Sequence, residues 1–106
     1  MIFVFEVRVK DGYSAQAYAQ AWVEASELIQ RATGAKGTRL HRKLDDPMAL
    51  LAIASWDSKE ARDRAEAERD PRVQAIFAEQ AQWVDIRVLG AFDEAEWVVL
   101  PPGSEA

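Results

Sequence analysis

Few side chains in this chain could do chemistry, and their spacing decides most of what they can do. His41 is the single histidine, set between Arg39 and Lys43 at every second position. An imidazole can move protons near neutral pH, and this one could also favour a substrate anion. In an alternating cationic run, however, it reads first as a surface or interface residue. One histidine in a chain without cysteine is a poor basis for a transition-metal site, which needs several N or S ligands. Asp45 and Asp46 are paired carboxylates, but Asp-Asp-Pro is turn chemistry before it is acid–base chemistry. Ser14, Ser26, Ser55 and Ser58 lack a nucleophile-elbow context, and the glycines form no phosphate cradle. No metal, nicotinamide or nucleotide is expected.

The aromatic residues are more suggestive. Tyr18 and Trp22 fall on one stripe of a first helix, Phe77 on a later helix, and Trp56 at the end of an apolar strand. Core packing accounts for such residues on its own. Around them, though, stand Ala21, Ala25, Ala52, Ala54, Ala61 and Ala65, small enough to leave room between helices and sheet. Aromatic walls around such a space suit a flat apolar ligand. Arg62, one turn past Trp56, would add a cation near its mouth.

The elements that must position these residues follow from periodicity. Residues 2–9 alternate, Phe3, Phe5, Val7 and Val9 against Val4, Glu6 and Arg8, which predicts a strand. Ser14 then caps a helix of about five turns that ends at Thr33-Gly34. A half-polar strand carrying Leu40 and Leu44 on one face leads through the turn Asp45-Asp46-Pro47 into Met48–Trp56, apolar on both faces. A strand of that kind belongs in the middle of a sheet with both faces covered. Asp57 or Ser58 caps a second helix of few large apolar residues, and Asp70-Pro71 starts a third carrying Val73, Ile76 and Phe77. Val84, Ile86 and Val88 alternate in a last strand that Gly90 ends or bends. The order strand-helix-strand-strand-helix-strand predicts an α+β, ferredoxin-like split β-α-β fold with an antiparallel sheet and central first and third strands. Its covered face would hold Phe3, Phe5, Val7, Leu40, Leu44, Val84, Ile86 and Val88.

At 106 residues the chain is one domain, taken as 1–100 with a frayed tail at 101–106. Phe92, Trp97, Val98, Val99 and Leu100 exceed what the minimal fold needs and form an extra strand-like segment. Both helices cover one sheet face, so the two-sided third strand and this surplus predict a homodimer through the open face, with the tail adding a strand to the neighbour. Eighteen acidic against thirteen basic residues give a net charge of −5, and no basic cluster offsets it, so nucleic acid is not an expected partner. The start reads as a strand and no apolar run approaches membrane-spanning length, so no membrane association and a cytoplasmic location are expected.

Ile53-Ala54-Ser55-Trp56 followed by Asp57-Ser58-Lys59-Glu60-Ala61 resembles the signature of the antibiotic biosynthesis monooxygenase family. Gly34-Ala35-Lys36-Gly37-Thr38-Arg39-Leu40-His41, the Asp-Asp-Pro turn and the opening Val7-Arg8-Val9-Lys10-Asp11-Gly12 are similar to the same family, so the resemblance spans roughly residues 2–90. It implies a dimeric α/β barrel with a pocket between sheet and helices in each subunit. Some members oxidise polycyclic phenols with molecular oxygen and no metal or flavin; others degrade haem. Trp56 matches the tryptophan lining the oxygenase pocket. Where phenol-oxidising members have an asparagine four positions earlier, this chain has Ala52; where they have a tyrosine six positions later, it has Arg62. The haem-degrading members' first-strand asparagine is Val7 here, and their helical histidine has no counterpart. The resemblance thus implies a cofactor-independent oxygenase acting on an aromatic or polycyclic compound. Trp56, Arg62 and His41 would serve catalysis, while Tyr18, Trp22, Ala52 and Phe77 would shape the site. The alternative is a non-catalytic dimeric barrel that binds an apolar metabolite or has a structural or stress-related role.

Overall fold

The computed structural model describes residues 1–103. Its elements are β1 (Ile2–Val9), α1 (Ala15–Ile29), β2 (Ala35–Lys43), β3 (Asp46–Trp56), α2 (Lys59–Ala67), α3 (Pro71–Gln80) and β4 (Val84–Phe92). The four strands form one antiparallel sheet in the order β2-β3-β1-β4. The two most apolar strands are thus central, where both of their edges are paired with neighbouring strands.

Each helix begins where its sequence provides a cap. Ser14 Oγ accepts from Ala17 N at 3.1 Å and Ser58 Oγ from Ala61 N at 3.0 Å. Asp70 accepts from Arg72 N at 2.8 Å, with Pro71 at the first helical position. These bonds satisfy amides that have no partner inside the helix. The helix α1 is shorter than its stripe implies: it stops at Ile29, and Gln30 to Gly34 turn back toward β2.

The core lies between the sheet and α1, around Val7, Val9, Tyr18, Leu50 and Val84, with Trp22 and Phe5 packed against it. Phe5 pairs with Ala52 and Phe3 with Ala54, so each phenylalanine of β1 sits beside an alanine of β3. On the opposite face Arg8 pairs with Asp46 at 2.7 Å and Arg87 with Glu6 at 2.9 Å. Leu51 and Ile53 share that face and are only half-buried, while Val4 is buried.

Three expectations are corrected. The hairpin turn is Leu44-Asp45, with Asp46 and Pro47 already in β3. Asp46 instead ties the strand start, accepting from Met48 N and Arg8. Leu44 consequently projects from the turn, wholly exposed, and is no part of the covered face. The strand β4 also runs past Gly90 to Phe92, because a bulge beside Val4 and Phe5 absorbs the glycine at φ 133°.

Residues 93–100 form no strand within the chain, and a turn at Pro102-Gly103 follows; residues 104–106, the rest of the expected frayed tail, lie outside the described residues. The radius of gyration is 15.3 Å, against roughly 13 Å for a compact chain of this length. The segment after β4 therefore reaches outward as an arm, with Trp97 87% and Val99 96% exposed. No helix among the described residues is long and apolar enough to cross a membrane.

Candidate functional site

A cavity of about 740 Å³, open to solvent at one side, lies between the sheet and the three helices. Its existence follows from side-chain size. On the sheet, Ala54 is paired with Phe3 and Thr38; on α2, Ala61 and Ala65 face inward. None of these methyls reaches the opposite wall. The helix α2 has a single buried residue, Ala61, so it roofs the space without filling it.

The aromatic residues picked out by spacing converge here. Tyr18, Trp22, Trp56 and Phe77 all line the cavity, brought together from α1, the end of β3 and α3. Trp56 is buried at 6% exposure, and its backbone is fixed from both sides. Its N–H donates to Met1 O at 2.9 Å and its carbonyl accepts from the Met1 amino group at 3.1 Å. Tyr18 is 1% exposed, and burial pushes its phenol up to about 12, so it stays neutral across ordinary pH. Its hydroxyl has no partner among the described residues.

Arg62 also reaches the cavity. Its guanidinium lies 3.7 Å from the centre of the Phe3 ring and pairs with Glu66 at 3.3 Å and Asp63 at 3.6 Å. A planar cation held flat on an aromatic face and tethered by carboxylates is oriented, with less rotamer freedom to lose on meeting a ligand. Arg69 stacks on Phe77 in the same way at 4.9 Å and has no ion pair among the described residues. The rim thus carries two stacked guanidinium groups, one of which the sequence did not single out.

Two expected residues fall elsewhere. His41 pairs with Leu51 on the open face of the sheet, exposed, with the sheet between it and the cavity. Strand alternation accounts for this: its neighbour Leu40 takes the inward position. Ala52 is on the inward face but only 1% exposed, sealed between Phe5 and Leu40, and it does not line the cavity. Conversely, Phe3, Ser26 and Gln80 line it and were not foreseen as site residues. Ser26 could have been found, since Tyr18, Trp22 and Ser26 recur at four-residue spacing on one helix face. Among the described residues no group of three His, Cys, Asp or Glu side chains gathers as metal ligands would.

Comparison with known proteins follows the same lines. A family model described as antibiotic biosynthesis monooxygenase matches residues 1–81. Among solved structures, SnoaB, a cofactor-independent oxygenase from Streptomyces nogalater, superposes with a TM-score of 0.71 at 17% identity, covering 91% of this chain and 96% of that one. Protein SO0527 from Shewanella oneidensis gives 0.68 at 19% identity, with 82% and 84% covered. Rv0793 from Mycobacterium tuberculosis gives 0.66 at 17%, with 90% and 98% covered. Identities this low establish a shared fold. No curated protein matches by sequence.

Proposed function

Because the chain belongs to the antibiotic biosynthesis monooxygenase family, we propose that it is a cofactor-independent monooxygenase acting on an aromatic or polycyclic phenolic compound with molecular oxygen. The observation that carries this reading is the cavity itself: about 740 Å³, walled by Tyr18, Trp22, Trp56 and Phe77, with Arg62 stacked at its rim. A space of that size and lining admits a planar molecule of several rings.

In such a reaction the substrate supplies the electrons. An anthrone-type methylene loses two hydrogens and gains one oxygen atom; the second oxygen atom leaves as water with those hydrogens. The protein's part is to hold the ring plane, exclude water and favour the electron-rich anion. Trp56 and Trp22 provide flat walls. Arg62 favours the anionic substrate by Coulomb attraction, offset in part by its own pairs with Glu66 and Asp63. Tyr18, held neutral, can donate a hydrogen bond to a developing oxyanion without competing for negative charge.

A second reading, binding without turnover, is favoured by one observation. Ala52, where phenol-oxidising relatives carry an amide, is closed into the core and offers no donor. Oxygen uptake with a panel of anthrones and hydroquinones separates the two, using Trp56→Phe and Arg62→Ala alongside the unmutated protein. Uptake that both substitutions depress supports the oxygenase. Binding without uptake leaves the second reading, and uptake indifferent to both changes removes the assigned roles.

The active form is proposed as a homodimer through the open sheet face. Half-buried Leu51 and Ile53, with the outward arm bearing Trp97 and Val99, supply apolar surface for it. Residues 1–100 then act as one domain, whose arm lies along the partner's sheet edge.

A further inference from the structure

Besides aromatic residues, two polar side chains are buried among the described residues, Ser26 at 9% exposure and Gln80 at 3%, and both line the cavity. A carboxamide brings two donor hydrogens and an acceptor oxygen out of water. Leaving them unmatched is costly, so buried amides are normally well bonded. Gln80 is not. Its side chain makes one hydrogen bond among the described residues, from Nε2 to the carbonyl of Tyr18 at 3.5 Å. That is beyond the usual 2.7–3.2 Å range for such bonds.

Its oxygen and one N–H are therefore unused by the protein. Yet among the described residues no fully sealed polar side-chain atom lacks a partner. The unused oxygen must keep some accessible surface, and for a residue 3% exposed that surface is the cavity it lines. The same reasoning applies to the Tyr18 hydroxyl, unpartnered on a residue 1% exposed. An otherwise aromatic and aliphatic pocket thus presents an idle amide and an idle phenol, from helices that pack on each other.

We infer that Gln80 is the specificity-determining residue of this cavity, its carboxamide taking a hydroxyl or carbonyl oxygen of a planar aromatic ligand, with the Tyr18 hydroxyl a further polar group lining the same cavity. Being neutral, the amide accepts from a phenol and donates to a carbonyl or phenolate. It therefore selects oxygenated rings over bare hydrocarbons without requiring a full charge. Ser26, two helical turns from Tyr18 and roughly 12 Å along α1, gives a second polar contact at the far end of a multi-ring ligand. This inference rests on the aromatic-ligand reading above and names the group that reads the ligand's oxygen.

The test compares 1-naphthol with naphthalene by titration calorimetry on the full chain and on Gln80→Met, which keeps the volume and loses the hydrogen bonds. The unmutated protein should prefer 1-naphthol. Gln80→Met should bind it about five- to thirtyfold more weakly, the value of one to two buried hydrogen bonds, with naphthalene affinity changed less than about twofold. Should that variant fail to fold, NMR of the unmutated protein decides: the Gln80 side-chain amide resonances should move with 1-naphthol and stay in place with naphthalene. An equal loss for both probes, or a motionless amide, overturns the role of Gln80 while leaving the cavity a ligand site. If neither probe binds, the aromatic-ligand reading falls and this inference with it. Absent oxygen uptake with naphthol binding intact removes only the oxygenase chemistry.

Discussion

Replacing Gly34 by alanine should loosen the wall of the cavity and destabilise the fold through two separable effects. Gly34 has φ +90°, a conformation that costs an alanine about 1 kcal/mol or more. A Cβ built there would also stand 2.6 Å from the Cβ of Ala61, where carbon atoms normally rest about 3.5–4.0 Å apart. The first turn of α2 must shift by roughly 1 Å to relieve this, and overpacking of that kind costs about 1–3 kcal/mol. It cannot shift freely, since Asp57 N donates to Gly34 O at 2.8 Å and Ser58 caps the same turn. Together the two effects come to about 2–5 kcal/mol, or a fall in Tm of roughly 10–30 °C for a domain near this size. Thermal and urea unfolding of Gly34→Ala, Ala61→Gly and the double variant forms the test. The double variant should recover the packing share and keep the conformational one, so the cycle shows a favourable coupling. A Gly34→Ala variant within about 0.5 kcal/mol of the parent, or a coupling near zero, would refute the reasoning. Since Ala61 and Arg62 belong to the displaced turn and line the cavity, ligand affinity should fall with stability.

Two other outcomes are expected. Spectrophotometric titration should show a phenol ionising near pH 12 that disappears in Tyr18→Phe. Burial raises this acid's pKa from 10.0, so the folded state binds the proton longer than the unfolded chain, and stability falls as pH rises from about 10 toward 12. An ultraviolet transition unaltered by Tyr18→Phe would contradict the buried placement. Removing the arm after Phe92, or introducing Val99→Asp, should shift sedimentation from dimer toward monomer while leaving the far-ultraviolet spectrum of the sheet intact. A monomeric parent at micromolar concentration would end the dimer proposal.

Much of this architecture was legible because its signals are local and redundant. Ser14, Ser58 and Asp70-Pro71 each mark a helix start by the same physical need, an acceptor for unpaired amides, and each does so here. The two-sided β3 announced its central place. Boundaries failed where a side chain had another job: Asp46 reads as a turn residue, yet Arg8 and the Met48 amide hold it in the strand. Gly90 reads as a stop and is a bulge. At the cavity, the aromatic set was legible from helical spacing. Gln80 was not, since a glutamine among apolar residues in a helix pattern ordinarily marks the wet side. Only the packing of α3 on α1 turns it inward. The surface place of His41 was legible, because it alternates with Arg39 and Lys43 while Leu40 takes the covered side.

The alanines that hollow out the space between sheet and helices set opposing demands on the molecule. Ala54 and Ala65 are places where a larger side chain would fill the void and add contacts. Repeated selection for heat resistance alone should therefore drift these positions toward valine, leucine or methionine, and the molecule would harden as its interior closed. As alanines they leave room rather than add contact, so what they contribute in this chain is capacity and not cohesion. A variant that kept the strands and enlarged these residues would keep the shell and lose the room inside it.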